Sequence, residues 1–224
     1  MPIRDWPKEQ RPRERLIRDG PSILSDAELL AVFLRTGVAG QSAIELARVA
    51  LLRFKTLSGL FSAPLSEFTA IKGLGQAKFA QLQAVLEMAK RTLEESLREG
   101  PALGSSTAVR EYLRLEIGLK PYEVFFALFV DSQNRLLEAT ELFRGTLAET
   151  SVYPREIIKA ALRVNAAAVI FAHNHPSGIA APSLADRVLT RTLQLALDAV
   201  EVKTLDHLVV TGSGVFSFAD AGHL

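Results

Sequence analysis

Apolar residues recur along the first hundred positions with the spacing of helices and along the rest with the spacing of strands. Ser25-x-x-Glu28 is a capping box ahead of Leu29, Leu30, Phe33 and Leu34, with Gly37 as the stop, and Ser42-x-x-Glu45 repeats the device before Leu46, Val49 and Leu52. Leu57 to Phe61 reads as a short turn and Pro64 to Phe68 as a brief helix. Ile71-Lys72-Gly73-Leu74-Gly75 is a tight turn before a long helix from about Gln76 to Glu99, with Phe79, Leu82, Leu86 and Leu93 along its buried side. This arrangement is similar to a helix-hairpin-helix module, in which a Gly-rich turn offers backbone N–H groups to a nucleic-acid phosphate. Lys72 and Lys78 are the basic residues beside it, so DNA is a candidate partner. The same turn would equally serve two packed helices. Residues 1 to about 18 are polar, charged and broken by Pro, as in an arm or an irregular first helix.

Gly100-Pro101-Ala102-Leu103-Gly104-Ser105 breaks this pattern and predicts a boundary, giving a helical domain over 1–100 and a second domain over 101–224. A helix is expected from Ser106 to Ile117, then a central strand over Glu123–Val130, a turn at Asp131–Asn134 and a returning strand over Arg135–Leu142. Pro154 opens a helix through Leu162, and Ala167–Ala172 reads as a buried strand. An amphipathic helix over Ser183–Val200 precedes a closing hairpin of Leu205–Val210 and Val215–Phe218. Helices alternating with strands of mixed direction predict an α/β sandwich.

Chemistry concentrates between His173 and Asp186, in His-Asn-His-Pro-Ser-Gly-Ile-Ala-Ala-Pro-Ser-Leu-Ala-Asp. An i, i+2 spacing at a strand end sends both imidazoles from one face. Ser183 and Asp186 open the next helix, and the first turn of that helix can direct a carboxylate back towards the rings. Two imidazoles and a carboxylate are three ligands for zinc, with a fourth tetrahedral position left to water. Ser183-x-x-Asp186 is also a capping arrangement, and both readings stand at this point. The string His-Asn-His is not the nuclease motif of that name, whose residues span a longer segment. With no Cys in the chain, a zinc nucleobase deaminase is excluded, as are disulfides and thiolate nucleophiles.

Composition changes this picture little. Hydrophobic content of 48% and charged content of 23% are ordinary for a globular protein. Net charge is +1, with 15 Lys and Arg against 12 Asp and Glu up to Gly100 and 11 against 13 beyond it. Any nucleic-acid contact would belong to the first half and have a modest electrostatic drive. The N-terminus has no apolar signal-like run and no stretch reaches membrane-spanning length, so a cytoplasmic location is expected.

With these residues in place the chain resembles the RadC family, whose C-terminal domain is of the JAB/MPN metalloprotease type. The likeness runs through Leu-Ser-Asp-Ala-Glu-Leu-Leu-Ala, the hairpin turn, Glu-Leu-Phe-Arg-Gly-Thr, Tyr-Pro-Arg-Glu and His-Asn-His-Pro-Ser-Gly. The JAMM pattern of His-x-His, seven residues, Ser, two residues and Asp is met by His173, His175, Ser183 and Asp186. The resemblance implies an MPN (JAB, cytidine-deaminase-like) α/β sandwich with a mixed sheet. It also implies one zinc ion on His173, His175 and Asp186, and hydrolysis of a peptide or isopeptide bond. Glu123 is the implied general base, with Glu138, Glu141 and Glu149 as alternatives, and Ser183 the implied oxyanion donor. A repair-linked DNA-binding role, with the metal domain as scaffold, is the competing expectation, and an inactive MPN-type interaction module is a third. His207, after Asp206, is a candidate extra polar group near the site but is expected rather to pack at a sheet edge, and Asn174 to touch no ligand.

Overall fold

The computed structural model describes residues 3–100, 106–145 and 152–224. They group into two compact units, Met1–Val85 and Leu86–Leu224.

The first unit holds α1 (Pro12–Asp19), α2 (Asp26–Leu34), α3 (Ala43–Phe54), α4 (Leu57–Ser62), α5 (Leu65–Thr69) and the start of α6 (Gln76–Glu99). Both expected capping boxes form: Ser25 Oγ and Ser42 Oγ accept from the third residue of their helices, and Glu28 and Glu45 accept from the cap N–H in return. The segment expected to be a turn at Leu57–Phe61 is instead helix α4. Thr56 Oγ1 accepts from the Gly59 N–H at 2.9 Å and so satisfies a helix-start donor that the apolar pattern alone did not announce. Leu30, Leu34, Leu46, Ala47, Leu60, Phe68, Leu74 and Leu82 form the core. Gly73 is required at the hairpin turn: its φ is +98°, and a Cβ there would lie 2.4 Å from Val38 Cγ1.

In the second unit, the later part of α6 and α7 (Ser106–Glu116) precede β1 (Val124–Val130) and β2 (Leu136–Arg144). Helix α8 (Pro154–Arg163), β3 (Ala168–Asn174), α9 (Leu184–Asp198), β4 (Lys203–Val210) and β5 (Val215–Ser217) follow. The strands make one mixed sheet in the order β2-β1-β3-β4-β5. Only β3 and β4 run parallel, and α9 supplies the crossover that a parallel pair needs. Alternation along the strands divides the core. Val124, Phe126, Leu128 and Ile170 face α7 and Leu97 of α6, whereas Phe125, Phe129, Val169 and Phe171 face Ile157 and Ala161 of α8 and Leu193 and Leu197 of α9. Strands β1 and β3 are buried along their whole length, as expected of a sheet covered on both faces. Among the described residues no helix is long and apolar enough to cross a membrane.

Asn174, the last residue of β3, is fully buried and satisfied from one direction. Its Oδ1 accepts from the Val124 N–H at 2.8 Å, and its Nδ2 donates to the carbonyls of Tyr122 at 2.9 Å and Lys120 at 3.2 Å. One carboxamide therefore clamps the backbone on both sides of Glu123. Its removal strands a buried N–H and two carbonyls, each worth about 1–3 kcal/mol when left unpaired. Asn174→Ala is expected to destabilise the fold by about 2–4 kcal/mol, read as a lower urea midpoint, because water can satisfy part of what is lost.

Candidate metal centre

Three side chains converge where β3 ends and α9 begins. His173 Nε2 lies 3.0 Å from His175 Nε2 and 3.3 Å from Asp186 Oδ1, and His175 Nε2 lies 3.6 Å from Asp186 Oδ2. Asp186 and His173 are fully buried, while His175 is partly exposed. The three form a compact candidate ligand group for a metal ion.

Each tautomer follows from its partner. His175 Nδ1 faces the Ile179 carbonyl at 2.8 Å, which only accepts, so Nδ1 carries the proton and Nε2 keeps its lone pair. That carbonyl belongs to the loop after Pro176, which turns back where the Gly178 N–H donates to the His175 carbonyl at 3.0 Å. Asp186 divides its two oxygens between two tasks. Oδ2 accepts from the Ser183 N–H at 2.6 Å and the Ser183 hydroxyl at 2.7 Å, while the Asp186 N–H donates to Ser183 Oγ at 3.1 Å, closing the capping box of α9. Oδ1 is buried with no hydrogen-bond partner. The capping reading is thus realised on Oδ2, while Oδ1 is left beside His173 Nε2.

Burial opposes charge on Asp186, but the His173 contact and the Ser183 bonds outweigh it and hold the carboxyl well below the usual carboxylate range. The site therefore keeps an anionic oxygen, Oδ1, beside His173 Nε2 and 3.3 Å from it. Electron pairs converging at 3.0–3.3 Å repel unless a positive centre lies among them. Ligand atoms about 2.0–2.1 Å from a tetrahedral ion stand about 3.3–3.4 Å apart, so the spacing fits a divalent ion of that size.

The sheet register puts Glu123 at this end of the molecule. Phe125 pairs with His173, so the same register two residues earlier brings Glu123 level with His175. Glu123 is the residue before β1, and its carbonyl accepts from the Gly145 N–H at 3.0 Å. The alternatives lie elsewhere or are engaged. Glu138 pairs across from Phe129, at the opposite end of β1, and is bound by Arg163 at 2.6 Å. Glu141 sits between Lys120 and Arg144, 2.8 Å from each. Glu149 lies outside the described residues.

His207 is not at a sheet edge. It stands on β4, between β3 and β5, fully buried, with its ring stacked on Phe218 at 5.0 Å and flanked edge-on by Phe125 and Phe171. Its Nε2 meets His173 Nδ1 at 2.9 Å and its Nδ1 meets Thr190 Oγ1 at 2.6 Å. Burial, and then the neighbouring His173, push its imidazole well below the usual range, so the ring is neutral. The Asp-His dipeptide on a strand was the only local sign of this residue. Its partner Thr190, one helical turn beyond Asp186, had none. The Asn174 side chain bonds no proposed ligand, as expected, and holds the backbone around Glu123, a role the sequence did not announce.

In the first unit the Lys78 ammonium donates to the carbonyls of Gly73 at 2.8 Å and Thr36 at 3.1 Å, so it closes the hairpin turn. Lys72 is exposed at the same turn.

Comparison with known proteins agrees with this architecture. A family described as the RadC-like JAB domain matches residues 103–223, and one described as UPF0758 N-terminal matches residues 3–80. A UPF0758 protein of Herminiimonas arsenicoxydans is 60% identical over the full length of both chains. One from Janthinobacterium sp. (strain Marseille) is 59% identical over the same span, and one from Nitrosospira multiformis is 57% identical over 99% of each chain. Similarity of this degree along both units makes the chain a member of the RadC (UPF0758) family, with a JAB domain in its C-terminal part.

Proposed function

We propose that the chain is a zinc-dependent hydrolase that cleaves a peptide or isopeptide bond. The observation that carries this reading is Asp186 Oδ1, a buried and unpartnered anionic oxygen 3.3 Å from an imidazole nitrogen whose own neighbour is a second imidazole nitrogen. His173, His175 and Asp186 would hold the zinc, which would supply a Lewis acid and lower the pKa of the attacking water towards neutrality. The family resemblance supports an amide as the bond cleaved.

Glu123 is the general base in this reading. It accepts a proton from the attacking water and returns it to the leaving amine, the two transfers that amide hydrolysis requires. The Asn174 clamp on its flanking peptide groups suits that task, since a base on a rigid element keeps its reach. Ser183 donates to the carbonyl oxygen as negative charge develops there. Its hydroxyl proton, which rests on Asp186 Oδ2, turns towards the substrate for that step, and Asp186 keeps the Ser183 N–H as its helix-capping donor.

Two experiments test the reading at different levels. In Asp186→Asn an amide N–H replaces the lone pair of Oδ1 and can donate to a histidine Nε2, while the amide oxygen retains the cap. This variant is expected to bind no zinc by elemental analysis, yet to unfold at no lower urea concentration than chelator-treated wild type. One zinc per chain in the variant contradicts the ligand assignment. For the chemistry, zinc-loaded wild type is incubated with a proteome-derived peptide library and the new termini are read by mass spectrometry. Glu123→Gln is expected to retain zinc and lose cleavage by about 10²–10⁴-fold. A wild type that generates no more termini than Glu123→Gln overturns the hydrolase.

A further inference from the structure

The buried polar groups behind His173 form a chain whose proton positions can be worked out from one end. Thr190 Oγ1 lies 2.6 Å from the Asp186 carbonyl, which only accepts, so the single hydroxyl proton of Thr190 is committed there. Towards His207, Thr190 can then only accept, and His207 Nδ1 must donate across the 2.6 Å contact. A neutral ring that donates from Nδ1 accepts at Nε2, so His173 Nδ1 donates to His207 across 2.9 Å. With its proton on Nδ1, His173 presents a lone pair at Nε2, the atom that faces His175 and Asp186. Every polar atom of the chain is satisfied in one direction only.

We infer that His207 and Thr190 are positioning residues that hold His173 in its metal-binding tautomer and tie that ligand, through the Asp186 carbonyl, to the first turn of α9. The inference rests on the metal reading above and deepens it. A ligand histidine that donates its second ring N–H is held in orientation and made more basic at the coordinating nitrogen. The acceptor here is a neutral imidazole enclosed by Phe125, Phe171 and Phe218. The relay therefore orients His173 without adding a second negative charge beside Asp186. It also links two ligands on different elements: rotation of the His173 ring breaks a bond that leads to the backbone of Asp186.

The test is zinc affinity by competition with a chromophoric chelator, together with the absorption spectrum of the cobalt(II) form, on the full-length chain. His207→Phe keeps a flat ring among the three phenylalanines and deletes both nitrogens. Thr190→Val is nearly isosteric and deletes the hydroxyl at the far end of the chain, both the acceptor for His207 Nδ1 and the donor to the Asp186 carbonyl. Circular dichroism and a urea melt establish that each variant is folded, and Thr190→Val keeps the test decisive if His207→Phe is not. Both folded variants are expected to bind zinc about 10–100-fold more weakly. The double variant is expected to lose less than the product of the two single losses, since either change breaks the same chain. The cobalt(II) bands are expected to shift in both, a response that general loosening of the core does not produce at saturating metal. Wild-type zinc affinity and an unchanged cobalt spectrum in folded Thr190→Val overturn the relay while leaving the metal site standing. A wild type that takes up neither ion removes the relay and the metal reading together.

Discussion

Strand β3 is hydrogen-bonded along both edges, antiparallel to β1 and parallel to β4, and its side chains are buried on both faces. It cannot slip by one residue without turning His173 into the α7 side of the core and an aliphatic residue into the site. That double constraint brings everything else into place. On one side it brings Glu123, the residue before β1, level with His175. On the other it brings His207 behind His173. The α9 crossover demanded by the parallel pairing returns Asp186 over the same end of the sheet.

Polar residues at this end are buried in an unusual concentration, with His173, Asn174, Asp186, Thr190 and His207 all nearly inaccessible. Each could cost several kcal/mol if left unpaired. The structure resolves that cost in two separate networks, one on each face of β3. Asn174 serves backbone groups on the side of α7, and the His173–His207–Thr190 chain serves the side of α9. A single atom, Asp186 Oδ1, is left over at the point where the ligands meet. Close packing elsewhere makes this exception informative, since a buried anionic oxygen with no donor has little reason to persist in a metal-free protein.

Much of the fold was legible because it is written locally. The capping boxes at Ser25 and Ser42, the apolar run of β3 and the Gly212–Gly214 turn each announce themselves within a few residues. The ligand trio was legible for the same reason, as its members lie within fourteen positions of one another. Strand order was not, because pairing β3 with β4 depends on contacts across a helix. For that reason His207 read as an edge residue: the closing hairpin places β5 on one side of β4, but nothing near Asp206-His207 indicates that β3 will pair along the other. The clamping role of Asn174 was not legible on similar grounds, since its partners at Lys120, Tyr122 and Val124 are about fifty residues away. Helix α4 was missed because a Thr cap ahead of an apolar stretch with a Gly in it resembles a turn.

The divided carboxylate of Asp186 has a consequence for traffic at the site. Its capping oxygen closes the first turn of α9 independently of the other, so the helix start is complete before any ion arrives. Loading of a metal would then require no refolding of the α9 start, and unloading would release none of it. An ion bound there would exchange past the partly exposed His175 ring. A centre built in this way can follow the supply of free metal in its surroundings while the protein around it keeps its shape.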